Sequence, residues 1–490
     1  MQHTMRKWMR LCAAGALVVL TTCSPDELLE VSNPNAIQLE RLDDVALLDV
    51  QLAGVRDQLT GVYGGTILDG ANFVGDEMLT GLNWEDWARV NHRVVSYLEG
   101  PTSGIFEGTS RPLRMGHDLA ERIRGWITEY PERELRDELA LTLAFAGYSA
   151  MVNAENMCQS VISPDPDDPS GTVLSQLETF SAALPYLEEA LSVAQSAGED
   201  EVANLALTGL ARTHLGLGNW SEAANYANQV DPGFEYWLYY IDVSGGRNPL
   251  QGTSHGGNFT TGISPTFTGT HPSFDGTGFE FGDDDIIDVQ TDPRIQHMSF
   301  DATGHNGATR LYKVFQGLRF SDYTGETLAP ASAECPSCTG TDEDDMMLLA
   351  EYDTDIILAD YLEARHHYFE ALAMQGGNEA AVLAFVNVRR AVGNQPPVTL
   401  AGQALITELR NQRGKDFYLG GLRVPDLRRW TRFDPGNGPF AAGSYFPTGM
   451  HPNENFGAYG EWTCFPIPLS EYEGNANLTK PLNPNDPPGI

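Results

Sequence analysis

Positive charge is what this chain has least of. Thirty Lys and Arg stand against 67 Asp and Glu, a formal charge of −37 over 490 residues. So acidic a surface repels phosphate backbones at ordinary salt, which excludes nucleic acid as a partner. Long apolar runs are also scarce, and after the first 22 residues none is long enough to span a bilayer. Catalytic signatures are missing. There is no helical His pair around a Glu, no Ser between the glycines of a nucleophile elbow and no Gly-Lys phosphate loop. No catalytic residue, cofactor or metal is therefore expected, and the chain does not read as an enzyme. Cysteine is sparse, with six in all.

What is present is helical period. The 41% apolar content suffices for a sizeable core. Apolar residues recur at helical spacing over Val45 to Thr60, Arg114 to Tyr130, Glu132 to Val161, Leu174 to Ala197, Glu201 to Leu217 and Ser221 to Val230. They recur again in three runs from Ile356 to Trp430. The first of these carries Ile357, Tyr361, Ala364, Tyr368 and Leu372 on a buried face, with Asp360, Glu363 and Glu370 on the other. Leu215 to Ala224, with its turn at Gly218-Asn219-Trp220, lines up with Leu372 to Ala381, which turns at Gly376-Gly377-Asn378. Both read as hairpin turns of tetratricopeptide-like units, with small Ala residues where two helices approach closely. Such units bury their faces only by stacking on neighbours. The predicted fold class is all-α, a right-handed superhelix of such hairpins, with helices over about 40–230 and 350–430. A loop-rich insertion over about 231–350 and a C-terminal loop region over about 431–490 complete a single domain spanning 23–490.

The first 22 residues read as an export signal. Arg6, Lys7 and Arg10 precede the apolar stretch Leu11 to Leu20, which is too short to cross a bilayer. Leu20-Thr21-Thr22-Cys23 resembles a bacterial lipobox, which makes Cys23 the lipidated mature N-terminus, with Thr22 standing where a smaller residue is usual. Cys12 leaves with the signal, so Cys158, Cys335, Cys338 and Cys464 remain, with three possible connectivities in an oxidising compartment. Cys335-Pro336-Ser337-Cys338 reads as a local disulfide; the other reading is half of a zinc site. The acidic runs Asp283 to Asp285 and Asp342 to Asp345 lack the spacing of a calcium loop and read as solvated. His366-His367 reads as helix surface.

Trp84-Glu85-Asp86-Trp87 follows Phe73 and Asn83 in a loop. Two Trp three apart beside carboxylates make either a stacking platform for a sugar ring or the core anchor of a loop. Tyr236-Trp237-Leu238-Tyr239-Tyr240 opens the insertion.

Taken together, these pieces resemble the SusD/RagB family of outer-membrane nutrient-binding lipoproteins. The carriers are Cys23 with the Asn33-Pro34-Asn35 leader, Asp292-Pro293-Arg294, Asp426-Leu427-Arg428-Arg429-Trp430, and the closing Phe465-Pro466-Ile467-Pro468 with Glu471 and Asn475. The resemblance implies four tetratricopeptide-like helix pairs supporting a variable loop face. It implies lipid anchoring at the outer face of the outer membrane and a SusC-like TonB-dependent transporter as partner. It also implies capture of a nutrient, expected to be an oligosaccharide, with ligand contacts at Trp84 and Trp87 and at Tyr236, Trp237 and Tyr240. The competing readings are a secreted glycoside hydrolase and a pure protein-interaction scaffold.

Overall fold

The computed structural model describes residues 41–75, 77–80, 84–162, 171–249, 261–263, 292–295, 297–303, 310–314, 317–321, 352–451 and 456–481. The chain divides into two compact units, Met1–Gln51 and Leu52–Ile490. In the first, a 3-10 turn over Val45–Leu47 is capped by Asp44, whose Oδ1 accepts from the Ala46 N–H.

The helices are α1 (Leu48–Val62), α2 (Leu68–Val74), α3 (Glu85–Asn91), α4 (Gly100–Glu129), α5 (Arg136–Asn156), α6 (Gln176–Ala197) and α7 (Asp200–Leu217). They continue with α8 (Trp220–Ala227), α9 (Tyr361–Met374), α10 (Glu379–Val392), α11 (Gly402–Asp416), α12 (Arg423–Phe433) and α13 (Leu469–Gly474). From α4 to α8 each packs on its predecessor, and α9 packs directly on α7 and α8. The array therefore runs on across the long segment between α8 and α9. Leu215, Ala223 and Ala371 meet at that junction with Trp220 and Ala224 around them, so the first half of the internal repeat packs on the residue just before the second. Gly218, at φ +77°, closes α7 in the left-handed conformation that a side chain would strain. Beyond α9, Phe369, Val382, Val386, Leu405 and Leu409 join α9, α10 and α11 in a second buried cluster.

Strands among the described residues form antiparallel pairs: β1 (Met78–Thr80) with β5 (Thr261–Ile263), β2 (Gln159–Ile162) with β3 (Thr172–Ser175), β4 (Glu235–Leu238) with β8 (Ile356–Asp360), and β6 (His297–Thr303) with β7 (Arg310–Val314). The β4–β8 pair aligns Trp237 with Ile357, so the insertion leaves and returns through one neck. This corrects the helical reading of Ile356 to Asp360. The β-branched Ile356 and Ile357 lie buried in a strand, and the helix starts only after Asp360, whose Oδ1 accepts from the Glu363 N–H. Helix α4 also starts fourteen residues earlier than periodicity places it, and carries Pro112 inside.

The acids assigned to the solvent face of α9 are buried: Asp360, Glu363 and Glu370 are 6%, 0% and 2% exposed. Each meets an arginine. Arg319 donates to Glu363 at 3.0 Å, to Asp360 at 3.3 Å and to two carbonyls of β8. Arg212 grips Glu155 with two 2.6 Å bonds and reaches Glu363 at 3.4 Å. Arg429 grips Glu370 at 2.9 and 2.8 Å and also takes Asp426, which Arg413 holds at 2.6 Å. His366 and His367, expected at the helix surface, are likewise fully buried. His366 Nε2 lies 2.7 Å from an Asp416 carboxylate oxygen, and burial keeps the imidazole neutral despite that partner.

Two of the sequence motifs prove to be staples. In Asp292-Pro293-Arg294 the arginine is fully buried, paired with its own Asp292 and donating to Asp416 of α11 at 2.8 Å, so the middle of the insertion is tied back to the helical frame. In Asp426 to Trp430, Arg428 Nη1 donates to the carbonyls of Ala154, Glu155 and Met157, capping the C-terminal end of α5. Burial and neighbouring Arg432 push its guanidinium down to about 9. The closing motif follows the same logic. Phe465 exchanges backbone hydrogen bonds with Asn156 and Cys158, and a disulfide joins Cys158 to Cys464 across 306 residues.

Candidate functional site

An open cavity of about 550 Å3 is lined by Thr66, Trp84, Glu85, Asp86, Trp87, Gly100 and Pro101. Three local devices build it. Trp84 is the N-cap residue of the short α3, in extended backbone, and its ring projects with 62% of its area exposed. One turn on, Trp87 is half-buried and rests on Phe73, ring centroids 5.6 Å apart and tilted 58°. Asp86 Oδ2 accepts from the Gly100 N–H at 2.9 Å and so fixes the start of α3 against the start of α4. Glu99, just before α4, takes Arg89 of α3 and the Ser96 N–H.

Beneath this wall sits Asn91, which is fully buried. Its amide donates to the carbonyls of Phe73 and Met78 at 3.1 and 3.0 Å, and its Oδ1 accepts from the Thr80 N–H at 3.0 Å. One side chain thus rigidifies the turn from α2 through β1, and β1 in turn pairs with β5 of the insertion, Met78 opposite Ile263. The floor comes from a third device. Between α1 and α2 the helix widens to a π-turn over Tyr63–Ile67, with Gly65 at φ −110°, ψ −105°, and this presents Thr66 to the cavity.

Chemically, an exposed indole beside a second indole suits the apolar face of a pyranose ring. The carboxylates of Glu85 and Asp86 and the hydroxyl of Thr66 are acceptors for sugar hydroxyls, and among the described residues the lining holds no Lys or Arg.

The structure separates the aromatics expected to meet ligand. Trp84 and Trp87 lie together in the cavity wall. Tyr236 and Tyr240 lie in the core instead, 9% and 5% exposed, which corrects their assignment as contact residues. Tyr236 packs edge-on against Phe145, and the Tyr240 hydroxyl donates to the Thr60 carbonyl; burial raises both phenols far above their ordinary value. Alternation along β4 explains the split, because Tyr236 and Leu238 point inward while Trp237 is half-buried and donates to Glu235 at 3.2 Å. Sequence reasoning missed Thr66, Gly100 and Pro101. Gly64-Gly65 within an apolar helical run was the available signal for the first. Cys23, Asn83, Cys335, Cys338 and both acidic runs lie outside the described residues, and the disulfide among the described residues joins Cys158 to Cys464. Among the described residues no cluster of His, Cys, Asp or Glu could hold a metal, and no helix is long and apolar enough to cross a membrane.

No protein-family model and no curated protein matches the sequence. Solved structures do match. A SusD homolog from Bacteroides thetaiotaomicron is similar over 91% of this chain and 98% of its own, at 14% identity and TM-score 0.62. A SusD superfamily protein from Bacteroides fragilis matches over 89% and 99%, at 14% identity and TM-score 0.61. A SusD-like carbohydrate binding protein from Bacteroides vulgatus matches over 88% and 97%, at 14% identity and TM-score 0.60. With that likeness spanning nearly the whole of each relative, the chain has the fold of the SusD superfamily.

Proposed function

We propose that this chain is a SusD/RagB-type surface lipoprotein, held at the outer membrane through Cys23, that captures a neutral oligosaccharide and delivers it to a SusC-like TonB-dependent transporter. It binds glycan and does not cleave it. The observation that carries the reading is Trp84, a large apolar ring left 62% exposed at the mouth of a cavity whose backbone is otherwise pinned by Asn91, Asp86 and Glu99. Several of the structural neighbours are carbohydrate-binding proteins, which supports the ligand class. Two acids and no cation among the described lining residues, on a chain of charge −37, favour neutral sugars over uronates or sulfated glycans.

Affinity electrophoresis of the mature protein through gels containing starch, xylan, galactomannan, β-glucan or polygalacturonate tests this. Retardation by one or more neutral polysaccharides, no retardation by polygalacturonate and no release of reducing ends is the expected outcome. Release of reducing ends would establish a hydrolase, and retardation by none of the gels together with co-purification of a β-barrel would establish a scaffold. Labelling with radioactive palmitate in the native host, lost in Cys23→Ala, tests the anchor.

A further inference from the structure

Tyr240 was expected to touch ligand, and its buried hydroxyl does something else. In an uninterrupted α-helix the Gly64 N–H would donate to the Thr60 carbonyl, four residues back. Here the Tyr240 phenol donates to the Thr60 carbonyl at 2.8 Å and lies directly against Gly64. The phenol thus bonds the backbone one turn before the helix widens, a side-chain insertion of the kind that kinks helices. Gly64 is what admits it, since a Cβ there would lie 2.3 Å from the phenol oxygen. The π-turn of Tyr63–Ile67 follows immediately. A second clamp holds its start, because the Tyr63 hydroxyl donates to the Gly420 carbonyl at 3.1 Å.

The turn carries Thr66 in its middle. Thr66 is half-buried in the cavity lining, packed against α4 so closely that a Cβ on Gly104 would lie 3.1 Å from its methyl carbon. Its neighbours in the turn are all buried, and its hydroxyl has no hydrogen-bond partner among the described residues. A hydroxyl without a described partner, in the lining of a cavity between an aromatic wall and the first turn of α4, is placed to meet a ligand hydroxyl.

Resting on the glycan-binding reading above, we propose that Thr66 is a specificity-determining contact for a sugar hydroxyl and that Tyr240, from the neck of the insertion, is the residue that positions it by holding the π-turn open. The insertion thereby acts on the pocket from beneath, through the helix.

A double-mutant cycle tests both halves, using whichever neutral polysaccharide of the panel retards the wild-type protein most. Thr66→Val keeps the shape and removes the hydroxyl, so binding is expected to weaken roughly three- to tenfold with the melting temperature unchanged. Tyr240→Phe keeps the ring and removes the wedge, and is expected to weaken binding to a similar degree. The double variant should bind no worse than the weaker single variant, because one contact is lost in each case. Unchanged binding in Thr66→Val overturns the contact, and losses that multiply in the double variant overturn the positioning route, since a merely structural Tyr240 would act independently. Trp84→Ala is the control. If it abolishes retardation while Thr66→Val and Tyr240→Phe do nothing, this inference fails and the glycan site stands; if Trp84→Ala also does nothing, the site itself fails and takes the inference with it.

Discussion

The interior around α9, α11 and α12 and the pocket at the start of α3 treat side chains in opposite ways. In the first, a chain poor in cations buries Arg212, Arg294, Arg319, Arg413 and Arg429 and gives each a carboxylate. In the second, an indole that would gain by burial stays in solvent while the backbone beneath it is held rigid. Buried ion pairs contribute little net stability over apolar packing, yet breaking one is costly because the partner stays behind uncompensated. They therefore specify geometry: they set where the ends and the middle of the insertion attach. The exposed indole specifies nothing about the fold, which is why it reads as functional.

Substitutions sharpen that contrast. The largest loss of stability is expected from Asp416→Ala. It leaves Arg389, bonded to Asp416 at 2.7 and 2.8 Å, without its carboxylate and Arg294 with Asp292 alone, and should cost about 3–5 kcal/mol in chemical denaturation. Acid gives a graded version. Burial alone would raise the Asp416 carboxyl, but hydrogen bonds from His366 and Arg389 outweigh it and hold the group well below the usual carboxylate range. Its stabilisation is complete above the unfolded value of about 3.9 and is lost as pH falls below that. Asp360 has the opposite sign, since burial pushes it up to about 6 against the pull of Arg319. Lowering the pH through that value relieves a cost, so thermal melts of Asp360→Asn should lack a stabilisation on mild acidification that the wild type shows.

At the pocket the effects shrink on stability and grow on binding. Trp87→Ala removes the contact with Phe73 and should cost about 1–2 kcal/mol alongside glycan affinity. Trp84→Ala should leave stability within about 0.5 kcal/mol of wild type.

The helical frame was legible because its signals are local. The Gly218 and Asn378 turns and the Ala-rich approaches lie within a few residues of the helices they join, and α7, α8 and α9 meet as that spacing implies. What could not be read was the partner of a charge. Glu370 pairs with Arg429 at a separation of 59 residues and Arg294 with Asp416 at 122, and nothing near Glu370 marks it as buried rather than solvated. The same gap put His366 and His367 on the surface. In the pocket, Trp84 and Trp87 stood out because paired indoles beside carboxylates are rare. Tyr236 and Tyr240 looked equivalent to them, and only distant partners bury them: the β4–β8 pairing turns Tyr236 inward, and the Thr60 carbonyl takes the Tyr240 hydroxyl.

Isothermal titration of wild type and Trp84→Ala with the oligosaccharide of the retarding polysaccharide, beside their melting curves, is the sharpest test of Trp84 as a ligand contact. Binding at least roughly tenfold weaker, about 1.4 kcal/mol, at an unchanged melting temperature is expected. Equal affinities, or a melting temperature that collapses with the affinity, would contradict it.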